Sequence, residues 1–129
     1  ATPKGYGLPA DVAEAASRIA VKGAELKQYV DPKEAVKGAD AIYTDVWTSM
    51  GQEVEYAERT KTFSRYQVND AMMARAKADA LFMHCLPAHR GQEVSDDVME
   101  SSASVAFDQA ENRLHAQKAM LVALFADQG

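Results

Sequence analysis

Three short segments of the 129-residue sequence carry side chains that could bind or activate a small molecule. They are Asp45-Val46-Trp47-Thr48-Ser49-Met50-Gly51-Gln52-Glu53, His84-Cys85-Leu86-Pro87 and Glu111-Asn112-Arg113. In the first segment, the Asp45 carboxylate suits an ammonium group, and the Ser49 hydroxyl can donate or accept a hydrogen bond. Gly51 would let the loop pivot. The alternative is that Asp45 and Ser49 are turn residues and helix caps.

The second segment places a thiol beside an imidazole. Cys85 and His84 suggest a reactive thiol or an acid–base pair. Adjacent strand residues point to opposite faces of a sheet, so the two side chains need not act on the same atom. The alternative is that Cys85 is a small buried apolar side chain and that His84 satisfies a backbone group.

The third segment offers a cation for an anionic ligand. Arg113 can present its planar guanidinium to a phosphate or a carboxylate, helped by the positive end of the last helix. The alternative is a solvated helix face on which Glu111 and Arg113 are simply exposed.

The elements that must position these segments follow an alternating pattern. Apolar runs predict strands at 25–30, 41–44, 80–83 and 104–107, and helical patterns lie at 9–21, 31–38, 52–61, 69–77, from 95, and at 109–126. This alternation predicts an α/β fold: one domain with an open, mostly parallel, Rossmann-like sheet and helices on both faces. Ligands of such sheets bind beyond the carboxyl ends of the strands, so we expect the polar segments after Thr44, Met83 and Ala106 at one edge.

The composition excludes several classes of function. Hydrophobic residues make up 47% and charged residues 26%, as in ordinary globular domains. The net charge of −5 and the lack of a dense basic run argue against nucleic acid and anionic membranes as partners. No apolar run approaches the ~20 residues of a membrane span. The single cysteine, Cys85, suits a reducing cytoplasm.

Neither a cofactor nor a metal is predicted. The sequence contains no glycine-rich dinucleotide or triphosphate motif. Its three histidines, His84, His89 and His115, have no recognisable ligand spacing.

The three segments together resemble the ornithine carbamoyltransferase family. The order and approximate spacing of Asp45-x-Trp47-x-Ser49-Met50-Gly51-x-Glu53, His84-Cys85-Leu86-Pro87 and Glu111-Asn112-Arg113 also fit. The resemblance covers essentially the whole chain, 1–129, as the ornithine-binding half of such an enzyme. It implies transfer of a carbamoyl group from carbamoyl phosphate to ornithine, which gives citrulline and phosphate.

The resemblance also implies roles for individual residues. Asp45, Ser49 and Met50 should contact ornithine, with Gly51 as the loop hinge. Cys85 and Leu86 should border both the carbamoyl group and the ornithine amine, supported by His84 and Pro87. Arg113 should reach carbamoyl phosphate. Asp45 and Cys85 would carry the acid–base chemistry, because a protonated side-chain amine cannot attack the carbamoyl carbon.

The family's carbamoyl phosphate-binding domain is not among these residues. Its Ser-x-Arg-Thr and His-Pro-x-Gln segments do not occur here, and the strand expected before Ala1 is missing. We therefore expect a fragment that is inactive alone, and a homotrimer or larger assembly for the full-length enzyme. The rival hypothesis is a non-enzymatic α/β module that binds a cationic amino acid or a protein. A Cys85 thiol with a depressed pKa, or with a reactivity that changes when ligand binds, would favour the enzyme. An unreactive buried thiol would favour the module.

Overall fold

Six helices and two strands form the described part of the chain. A computed structural model describes residues 1–21, 23–48, 51 and 53–126. The helices are α1 (Ala10–Ile19), α2 (Pro32–Ala35), α3 (Tyr56–Phe63), α4 (Asp70–Met73), α5 (Asp96–Met99) and α6 (Ala106–Phe125), and the strands are β1 (Ala41–Thr44) and β2 (Leu81–His84). Single 3-10 turns, Glu53–Glu55 and Ser64–Tyr66, flank α3.

The two strands pair in parallel, which confirms the α/β class. Ala41 pairs with Leu81 and Thr44 with His84, so both strands end at the same edge. A single parallel bridge joins Phe82 to Ser104 on the far side of β2. The predicted strand at 104–107 is therefore wrong beyond this bridge, because α6 already begins at Ala106.

The predicted strand at 25–30 is also wrong. Residues 24–29 are irregular, and one hydrogen bond, from the Thr2 N–H to the Tyr29 carbonyl, fixes the end of this stretch. Leu26 and Val30 are exposed, so the weak apolar alternation has no core to face. A strand forms only where its backbone groups pair with a neighbour, which local pattern alone does not provide.

Three short helices begin at side-chain caps, at the residues where the sequence predicts helical patterns to start. Asp31 accepts a hydrogen bond from the Lys33 N–H, Asn69 from the Met72 N–H and Ser95 from the Val98 N–H. Each cap satisfies an N–H group that has no partner inside its helix. The helix capped by Asn69 ends at Met73 rather than near 77, because turns follow it.

The core lies around β2. Phe82 is fully buried, and its cluster is Ile42, Val68, Phe82, Val94, Val98, Met99 and Ala106. Helix α6 enters this core only through Ala106 and is otherwise largely exposed. Among the described residues, no helix has the length and apolar character to cross a membrane.

Candidate active site

The strand ends bring Asp45 and Cys85 into direct contact. Asp45 follows β1 and Cys85 follows β2, and the register that pairs Thr44 with His84 sets the next two residues side by side. The Cys85 thiol donates a hydrogen bond to Asp45 Oδ1, with a sulfur–oxygen distance of 3.1 Å. One hydrogen bond thus joins two side chains that are forty residues apart in sequence.

The surroundings of Cys85 favour the neutral thiol. Burial and the hydrogen bond to Asp45 raise the pKa of the Cys85 thiol, and the Tyr43 side chain opposes them. A nearby carboxylate disfavours a thiolate because the two negative charges repel. In this arrangement, Cys85 is a hydrogen-bond donor to Asp45.

Tyr43 is a neighbour that sequence reasoning missed. It lies two residues before Asp45 in an extended chain, and hence on the same face. The Cys85 side chain and burial raise the pKa of the Tyr43 phenol, whereas Gln109 at the start of α6 lowers it. Period-two alternation from Asp45 back along β1 is the signal that would have found it.

His84 points into the core and forms a buried pair with Glu93. Both side chains are fully buried, with His84 Nε2 3.1 Å from Glu93 Oε1. The Leu86 N–H donates to His84 Nδ1 at 2.9 Å, so Nε2 carries the ring proton and donates to the carboxylate. The His89 N–H also donates to Glu93 Oε1, at 2.6 Å. Sequence reasoning missed Glu93, because a glutamate in a polar loop gives no sign of burial.

The His84–Glu93 pair holds the backbone that follows Cys85. Leu86 has a φ of 54°, in the left-handed region that non-glycine residues rarely adopt, and a cis peptide joins it to Pro87. The bond from the Leu86 N–H to His84 fixes this conformation. The Leu86 side chain packs against the core cluster, while Pro87 is exposed.

Arg113 does not contact the Asp45–Cys85 pair. Its side chain is exposed on α6, one turn beyond Gln109 on the same helix face. Helix α6 begins at Ala106, about two turns before Arg113. The expected help from the helix N-terminus is therefore wrong, because that effect is confined to the first turn.

The first motif is described only in part. Gly51 is exposed with a φ of 89°, a backbone conformation that suits glycine, and its role as a pivot stays a prediction. Ser49 and Met50, the two predicted ornithine contacts of this loop, lie outside the described residues.

An open groove of about 580 Å³ runs along β1 and includes Asp45 among its lining residues. Thr44, Trp47 and Arg59 also line it, so its wall combines a carboxylate, a hydroxyl, an aromatic ring and a guanidinium. Within the ranges that the structure describes, no cluster of three histidine, cysteine or acidic side chains is arranged to hold a metal ion.

The chain matches one protein family along nearly its whole length. Residues 1–124 match the family model described as aspartate/ornithine carbamoyltransferase, Asp/Orn binding domain. An ornithine carbamoyltransferase from Parasynechococcus marenigrum (strain WH8102) is 56% identical over 122 residues, which are 95% of this chain and 38% of that protein. The chain thus spans about two fifths of the length of the curated relatives it matches.

Solved structures show the same similarity. The anabolic ornithine carbamoyltransferase from Campylobacter jejuni superposes with a TM-score of 0.90 at 38% identity, over 100% of this chain and 43% of that one. The ornithine carbamoyltransferase from Gloeobacter violaceus gives 0.84 at 49% identity, over 96% of this chain and 41% of that one. These similarities confirm the Rossmann-like α/β architecture.

Proposed function

Because the chain belongs to the aspartate/ornithine carbamoyltransferase family, as an Asp/Orn binding domain, we propose that it supplies the ornithine half of a carbamoyl transfer site. The reaction moves the carbamoyl group of carbamoyl phosphate to the side-chain amine of ornithine and yields citrulline and phosphate. The observation that carries this proposal is the 3.1 Å contact between Cys85 Sγ and Asp45 Oδ1, which joins two of the three motifs.

Asp45 and Cys85 carry the acid–base part of the proposal. The ornithine amine has an ordinary pKa of roughly 10.4, like that of lysine, so it arrives protonated and without a lone pair. The Asp45 carboxylate attracts this ammonium group, whose positive charge lowers the pKa of the adjacent thiol. The thiol releases its proton to solvent, and the resulting thiolate takes the amine proton. The neutral amine then attacks the carbamoyl carbon, and the bond from that carbon to the phosphate oxygen breaks.

The remaining contacts surround this pair. Ser49 and Met50 bind the amino acid, and Gly51 serves as the hinge of their loop. Leu86 borders the carbamoyl group together with Cys85, supported by His84 and Pro87. Arg113 reaches carbamoyl phosphate and offsets the charge of the departing phosphate.

A second domain completes the site in this proposal. The chain spans 38% of the first relative, which leaves length in such a protein for the carbamoyl phosphate-binding domain that this proposal requires. The isolated chain is accordingly inactive alone, and the complete enzyme is a homotrimer or a larger assembly in the cytoplasm. No cofactor takes part.

The test combines a binding assay with a turnover assay. Calorimetric titration of the chain with ornithine should give a heat that saturates. The affinity for ornithine should be lower in the Asp45→Asn variant. Addition of the family's carbamoyl phosphate-binding domain and carbamoyl phosphate should then produce citrulline. Citrulline formation by the chain alone would contradict the proposed division of the site, and absence of ornithine binding would contradict the ligand assignment.

A second candidate is a non-enzymatic module that binds a cationic amino acid. The raised pKa of the Cys85 thiol favours it, because a depressed value is the usual sign of a reactive cysteine. The rate of Cys85 alkylation, measured with and without ornithine, distinguishes the transferase from the module. A rate that responds to ornithine supports the transferase, and a rate that does not respond supports the module.

A further inference from the structure

Arg59 on α3 contacts the beginning of its own helix and two residues that are distant in sequence, Trp47 and Tyr6. Its Nε donates to Glu55 Oε2 at 2.8 Å, and its Nη1 donates to the Trp47 carbonyl at 3.4 Å. The guanidinium also lies over the Tyr6 ring, 5.3 Å from the centroid. The Arg59 side chain is only 18% exposed, so it is held in place rather than free in solvent.

Glu55 directly precedes α3 and lies one turn before Arg59, whereas Trp47 is twelve residues before Arg59. A single guanidinium therefore joins the carbonyl of Trp47 to the beginning of α3. The planar fork of arginine allows this, because it presents several N–H groups in fixed directions, whereas a lysine ammonium acts as a point charge.

Aromatic packing also fixes the side chain of Trp47. Trp47 is 9% exposed and stacks on Phe63, with ring centroids 6.2 Å apart. Phe63 lies one turn after Arg59 on α3 and also contacts Tyr6 at 4.9 Å. The carbonyl and the ring of Trp47 are therefore both held by α3, and Trp47 lies two residues after Asp45.

We propose that Arg59, oriented by Glu55, is a positioning residue that anchors Trp47 to α3 and thereby places the Asp45 carboxylate for the amino-acid substrate. This inference rests on the proposed function, because it assigns Arg59 to the ornithine half of the site. Arg59 does not touch the Asp45–Cys85 pair and acts through the backbone of Trp47.

The experiment uses Trp47, the only tryptophan of the chain, as its reporter. Arg59→Lys and Arg59→Gln should increase acrylamide quenching of Trp47 and lower its fluorescence anisotropy. Ornithine binding, followed by Trp47 emission, should weaken by about fivefold or more in both variants, because loss of a hydrogen bond to a charged group misplaces the carboxylate.

Arg65→Lys is the matched control. Arg65 makes the same kinds of contact elsewhere, with Nη2 2.7 Å from the Val30 carbonyl and its guanidinium 5.4 Å from the Tyr66 centroid. This variant should leave both Trp47 readouts unchanged. Glu55→Gln is an exposed change that removes the charged partner of Arg59, and it should reproduce part of the increase in Trp47 quenching. Glu58 is also exposed, and Glu58→Gln should leave the quenching unchanged.

The outcomes separate the inference from the proposed function. Wild-type quenching and anisotropy in both Arg59 variants would overturn the anchoring role. Altered Trp47 signals with unchanged ornithine affinity would overturn its link to the substrate. A wild-type chain that does not bind ornithine would overturn the proposed function, and the quenching data would still decide whether Arg59 anchors Trp47.

Discussion

Cys85 donates a hydrogen bond to Asp45 across 3.1 Å, and each residue directly follows one of two parallel strands. This contact couples the thiol proton to the charge of the carboxylate. Burial and this hydrogen bond both raise the pKa of the Cys85 thiol, so the contact favours its protonated form.

Removal of the Asp45 charge should make Cys85 more reactive. In Asp45→Asn, the carboxylate no longer opposes the thiolate, so the pKa of the thiol falls and alkylation at neutral pH accelerates. The pH profile of iodoacetamide labelling measures this, since Cys85 is the only cysteine. Asp97→Asn, an exposed change on α5, should leave the midpoint unchanged. An unchanged midpoint in Asp45→Asn would refute the coupling.

Loss of the buried carboxylate should destabilise the loop after β2. Glu93→Ala leaves His84 Nε2 and the His89 N–H without an acceptor, and we expect a loss of about 3 kcal/mol in the free energy of unfolding. Glu93→Gln retains the accepting oxygen and should cost less. Urea denaturation gives both values, and equal costs would show that these bonds do not hold the loop.

Adjacent residues of β2 should differ sharply in their contribution to stability. Phe82→Ala removes a fully buried ring from the centre of the core and should cost about 3–5 kcal/mol. Leu81 is 43% exposed on the opposite face, and Leu81→Ala should cost about 0.5 kcal/mol. Thermal and urea unfolding of the two variants provide the comparison. Similar costs would contradict the observed orientation of the strand.

Replacement of Arg113 should weaken the binding of carbamoyl phosphate and leave the binding of ornithine unchanged. In Arg113→Gln, ornithine affinity should remain at the wild-type level, because Arg113 is not among the groups that interact with the Cys85 thiol or hydrogen-bond to Asp45. In the enzyme assembled with the carbamoyl phosphate-binding domain, the KM for carbamoyl phosphate should rise about tenfold or more, as expected for loss of a charged contact. Exposed Arg18→Gln on α1 is the control. A selective loss of ornithine binding would contradict the assignment.

Local sequence signals were sufficient for several elements. The apolar runs at 41–44 and 80–83 became β1 and β2, and the helices capped by Asp31, Asn69 and Ser95 begin where helical patterns were predicted to start. Caps and buried strands are specified by residue type and neighbours along the chain. The run at 25–30 failed because an amphipathic pattern does not create a partner strand.

The sequence by itself determined which strands carry the chemistry and, through the rule that parallel strands end together, that Asp45 and Cys85 lie at one edge. Only the tertiary structure decided that the thiol is the favoured form, that Glu93 is buried against His84, and that Arg59 reaches both Trp47 and Glu55. The reason is physical: burial, charge proximity and the reach of a guanidinium depend on distances between residues far apart in the chain, and no local pattern encodes those distances.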